Sequence, residues 1–73
     1  MHILYPNTLM ADLVSTLDER LAREGIVNIP QLAEEIRQRN ESANIALEDI
    51  AAELMRHAQA RNVAMVFDGH VNG

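Results

Sequence analysis

A chain of 73 residues suffices for one small domain with one apolar core, burying about 60% of the surface its unfolded form exposes. It has no cysteine, which excludes a disulfide framework and any thiolate-held zinc or iron–sulfur centre, so stability has to come from apolar packing within the chain or between copies of it. Six arginines and no lysine stand against eleven acidic residues, for a formal net charge of −5, and a field of that sign repels nucleic acids and anionic membrane surfaces on average.

The chain opens with an arm over 1–7. Ile3, Leu4 and Tyr5 form a short apolar run that Pro6 separates from the rest of the chain. The run is too short for a signal peptide and has no basic residue before it, and no stretch approaches the roughly 18 apolar residues of a membrane span. A cytoplasmic protein without a membrane partner is expected. Asn7 or Thr8 is placed to cap a first helix over 8–24, in which Leu9, Met10, Leu13, Val14, Leu17 and Leu21 recur at spacings of three and four and make one apolar stripe. Gly25, followed by the apolar Ile26, has the form of a helix stop.

Residues 26–29 are β-branched around Asn28 and suit a strand of two or three residues. A second helix begins at once: Asn28 is the cap, Gln31 stands three residues on, and Pro30 falls in the first turn, where its missing N–H costs nothing. Ile29, Leu32, Ala33 and Ile36 are its inner face, and it ends near Arg39 or Asn40. Arg37 and Arg39 match the sign of the dipole at that end. A polar loop over 40–44 leads to a third helix starting at Asn44 or Ala46, with Glu48 and Asp49 in its first turn. Its expected inner face is Leu47, Ile50, Ala51, Leu54 and Ala58, with Met55 at the edge. Asn62 can adopt the left-handed conformation that ends a helix. Residues 63–67 then alternate as a strand, Asp68 and Gly69 form a hairpin-turn pair, and only 70–73 remain for a return strand.

The resulting order is helix, short strand, helix, helix, strand, turn, short strand. The run Gly25-Ile26-Val27-Asn28-Ile29-Pro30-Gln31-Leu32-Ala33-Glu34-Glu35-Ile36 resembles the strand and second helix of winged helix-turn-helix domains, and Ala46-Leu47-Glu48-Asp49-Ile50 is similar to the start of their third. The resemblance covers nearly the whole chain in pattern and element order. It implies a mainly α (α+β) fold: one three-helix winged-helix-like domain over 1–73 with a small antiparallel β-sheet and a truncated wing over 63–73.

What the resemblance implies about fold does not fix function. DNA-reading members of this class place basic and amide groups near the start of the third helix, whereas here Glu48, Asp49 and Glu53 stand there. Phosphate contacts would fall to Arg56 and Arg61, with Arg37 and Arg39 in support. No phosphate loop, nucleophile elbow or metal-binding helix motif is present in the sequence, Ser15 and Ser42 have no evident histidine partner, and His57 has only Glu53 as a ligand-type neighbour four residues away. No enzymatic activity, cofactor, metal or small-molecule substrate is expected. Ile3, Leu4, Tyr5, Met65 and Phe67 offer more apolar surface than so small a core can cover. The first expectation is therefore a non-catalytic protein–protein interaction module, homodimeric or a subunit of a larger complex, using the sheet edge and the arm; the alternative is a DNA-binding regulator.

Overall fold

The structure, a computed structural model, describes residues 6–67. The arm residues Ile3, Leu4 and Tyr5, the turn at Asp68 and Gly69, and the return strand over 70–73 lie outside the described residues. Helix α1 (Asn7–Glu24) starts one residue before the expected boundary, because Pro6 rather than Asn7 or Thr8 takes the cap position. The Pro6 carbonyl accepts the Met10 N–H at 3.1 Å, and no side chain caps this end. Proline is suited to the position, since it needs no N–H there. At the other end Gly25 lies in the left-handed region (φ 75°) and donates its N–H to Leu21 at 2.8 Å, so the helix stops where the glycine places it.

Strand β1 (Val27–Asn28) passes directly into helix α2 (Ile29–Arg39). The Asn28 side chain accepts the Gln31 N–H at 3.3 Å, the cap bond that the sequence spacing implies, and Pro30 sits in the first turn. After Asn40 a single 3₁₀ turn (Glu41–Ala43) and a left-handed Asn44 (φ 56°) lead to helix α3 (Leu47–Ala60). Ala46 takes the cap position of α3 with no side-chain hydrogen bond, leaving Glu48 and Asp49 to meet the positive end of the dipole. The far end of α3 closes with two backbone bonds across a left-handed Asn62 (φ 57°): Asn62 N–H to Gln59 at 3.0 Å and Val63 N–H to Ala58 at 3.3 Å. Such a double bond satisfies the last carbonyls and turns the chain sharply back, here into strand β2 (Met65–Val66).

Eleven apolar residues form the core: Leu9, Leu13 and Leu17 from α1, Val27 from β1, Ile29, Leu32, Ala33 and Ile36 from α2, and Ile50, Leu54 and Ala58 from α3. Among the described residues no polar or charged residue is buried. Helices α2 and α3 share the most extensive contact, and Ala33 and Ala58, both fully buried, keep the inner faces of these helices small.

Two expectations are corrected. The sheet is parallel, not antiparallel: β1 pairs with β2 itself, Val27 opposite Met65 and Asn28 opposite Val66, and the Val27 N–H reaches the Ala64 carbonyl at 3.2 Å. The reason is topological. β1 leaves the end of α1 and β2 leaves the end of α3; Arg61, just past α3, is ion-paired to Asp18 in the second half of α1, so both strands set out from the same side of the helical layer. The intervening pair of helices supplies the long crossover a parallel pairing requires. Among the described residues the sheet has these two strands alone. The second correction concerns Leu47, expected on the inner face of the third helix and found 38% exposed.

Leu54→Ala is expected to cost about 2–5 kcal/mol, a large share of the roughly 5–15 kcal/mol that holds a domain folded. Gly25→Ala should cost about 1–2 kcal/mol from left-handed strain alone, because an added Cβ meets nothing within 4 Å. Urea unfolding of both variants measures these losses; a Gly25→Ala protein as stable as the parent would show that this backbone conformation does not limit the fold.

Candidate functional site

Helix α3 carries two apolar rows, each at four-residue spacing. Ile50, Leu54 and Ala58 point into the core, while Leu47, Ala51 and Met55 lie one step round the helix. In the second row Leu47 is exposed, while Ala51 and Met55 are half-buried against the edge of the core. Together with Ile29 and Pro30 at the start of α2 this row lines an open groove of about 340 Å³. Phe67, just beyond β2 and 55% exposed, also lines it, and among the described residues Glu48 is the one charged residue that does so. The parallel pairing is what brings Phe67 there: β2 is held beside β1, and β1 runs without a break into the start of α2.

The expected interaction residues separate. Met65 is half-buried against the core, Phe67 lines the groove, and Ile3, Leu4 and Tyr5 are outside the described residues. Sequence reasoning puts Leu47 and Ala51 on the inner face, Met55 at its edge and Glu48 outside, and does not bring the four together as one lining. The signal that could have found them is the double width of the apolar stripe on the third helix, more than a helix with one buried face needs.

The four arginines considered for phosphate contacts are all engaged with carboxylates. Arg39 bridges from α2 to Asp12 on α1 through two nitrogens, at 2.8 and 3.1 Å, and also donates to the Thr16 hydroxyl at 2.7 Å. Arg61 reaches Asp18 at 2.7 Å and donates to the His57 carbonyl at 3.0 Å. Arg37 pairs with Glu34 at 2.7 Å and Arg56 with Glu53 at 2.7 Å, each within its own helix. A fifth pair, Arg20 to Glu35 at 2.8 Å, joins α1 to α2. Among the described residues only Arg23 forms no ion pair. Glu53, the ligand-type neighbour of His57, is occupied by Arg56.

Asp12 is the most heavily bonded carboxylate of this group. Partial burial alone would push its pKa up; hydrogen bonds from Arg39, Asn40 and Thr16, with the charge of Arg39, outweigh that and hold it below its ordinary value. The same pair raises Arg39 further above its already high value. The Asn40 amide adds to the clamp, donating to Asp12 at 2.7 Å and to the Ile36 carbonyl at 2.8 Å, and so ties the end of α2 to α1. On the outer face of α2, the hydrogen bond from Arg37 lowers the pKa of Glu34.

No family model matches the chain, and neither a curated protein nor a solved structure is significantly similar to it. Among the described residues no helix is long and apolar enough to cross a membrane.

Because Asp12 titrates lower in the folded chain than in the unfolded one, it stabilises the fold above the ordinary carboxylate range, and that contribution is lost as pH falls through its lowered value. Asp12→Asn should therefore be less stable than the parent near neutral pH, with the difference shrinking in acid. Urea unfolding between about pH 6 and about pH 2 tests this; a gap that stays constant across the range would mean that the Asp12 charge is not what holds α1 to α2.

Proposed function

We propose that this chain is a non-catalytic protein–protein interaction module that docks another polypeptide in the groove between α3, the start of α2 and Phe67. The observation that carries the reading is the second apolar row of α3. A small domain with one core to fill leaves Leu47 38% and Phe67 55% exposed, both lining one cleft. Single exposed apolar residues need no explanation, but a contiguous set around a concavity marks a surface used for association. Among the described residues its lining offers the side chain of one carboxylate and otherwise apolar side chains. That suits burial of apolar side chains better than orientation of a small polar substrate, which needs several converging polar groups.

The competing reading, a winged-helix-like regulator bound to duplex DNA, asks Arg37, Arg39, Arg56 and Arg61 to serve phosphates while each already serves a carboxylate. Breaking such pairs offsets much of the gain from counterion release, and the net charge of −5 opposes the approach.

Two measurements test the proposal. A hydrophobic fluorescent dye is expected to bind the chain and to lose several-fold in signal with Leu47→Ser and Phe67→Ser, both at exposed positions where the fold tolerates change. A dye signal indifferent to both would place the accessible apolar surface elsewhere. Titration with duplex DNA at low salt is expected to give no binding; an affinity in the range of about 1–100 µM that falls steeply with added salt would replace this reading by the regulator.

A further inference from the structure

Resting on that docking reading, we infer that the occupant of the groove is a short amphipathic segment of a different protein, with one or two large apolar side chains as anchor and a lysine or arginine beside them. The groove has a charge as well as a shape. Glu48 lines it, Asp49 follows in the same turn of α3, and neither belongs to an ion pair among the described residues, although five arginines elsewhere are each matched to a carboxylate. The dipole at the start of α3 favours acids in this turn. It does not remove the field that Glu48 presents to whatever lies along the apolar wall, and burying that carboxylate under a purely apolar or acidic partner would leave it desolvated and unpaired, which is costly. A cation on the partner meets it at the edge of the contact, where such pairs steer association and fix register.

Size and charge also decide between occupants. About 340 Å³ has room for one or two large side chains as anchor. A second copy of this chain would bring another net charge of −5 to an already acidic site. Among its described residues it has only Arg23 free of an ion pair to set against Glu48. A segment with net positive charge meets neither obstacle and is drawn by the field of the whole domain.

The test is selection of a displayed library of random short peptides on the immobilised full chain, followed by affinity measurements on the selected peptides and sedimentation of the chain alone. Expected are peptides combining bulky apolar residues with lysine or arginine. Their affinity should fall roughly tenfold with Leu47→Ser or Phe67→Ser and a few-fold with Glu48→Arg, and should weaken as salt rises. Neutral or acidic peptides that need Leu47 and Phe67 but ignore Glu48 would overturn the inference and leave the docking reading standing. The inference also falls, in favour of a second copy, if no peptide is selected and the chain self-associates in a manner abolished by Phe67→Ser. Peptides indifferent to all three substitutions, or none selected from a chain that stays monomeric, would overturn both the inference and the reading beneath it. Circular dichroism melts of the three variants, all at exposed positions, confirm that each is folded when tested.

Discussion

The structure depends on filling one apolar core with very few residues. Three leucines on α1, four residues on α2 and three on α3 meet with Val27 between them, and nothing polar is buried among them in the described residues. Each fully buried aliphatic side chain contributes on the order of 1.5–3 kcal/mol, set against the conformational entropy of ordering the chain. With no disulfide to help, there is little surplus. Helix lengths, the small Ala33 and Ala58, and the two-residue strands all follow from making those few side chains converge.

The ion pairs stand around this core, and three of them share a pattern. Asp12 to Arg39, Arg20 to Glu35 and Asp18 to Arg61 all connect α1 to a later part of the chain. Partly exposed pairs of this kind add little to stability one at a time, about 0–1 kcal/mol. Their effect is on orientation: α2 and α3 pack on each other through apolar contact, and α1 is set against that pair by charge as well as by its leucines. Three of the six arginines serve this task and two more pair within their own helices, which leaves the acidic first turn of α3 unmatched beside an apolar cleft.

Much of the fold was legible in the sequence because it is encoded locally. Asn28 caps α2, Gly25 ends α1 and Asn62 ends α3 through conformations that only a few residue types adopt readily, and these residues stand where the apolar periodicity breaks. The direction of strand pairing was not legible. It depends on which ends of α1 and α3 lie together, a tertiary fact that no local pattern carries. The groove was half legible: Phe67 stood out as surplus apolar surface, but Leu47 falls on the third helix at a spacing that fits its core face as well as the row beside it, and only the placement of α2 decides between them. The roles of Arg39 and Arg61 were hidden for the same reason, since their partners lie far away in the chain, whereas Arg37 and Arg56 pair three residues from home.

The pairing of Val27 with Met65 also bears on how the groove is held. Two residues on each strand close a loop that contains both α2 and α3, and closing so long a loop costs entropy that a pair of short strands barely repays. Packing of Val63 and Met65 against the core, and the Arg61–Asp18 pair just before them, add what the strand bonds lack. Phe67 lies just past that pairing and is 55% exposed, so this side of the groove is positioned by a two-residue strand and the other by helices. A ligand gripping both would tie this short strand to α3.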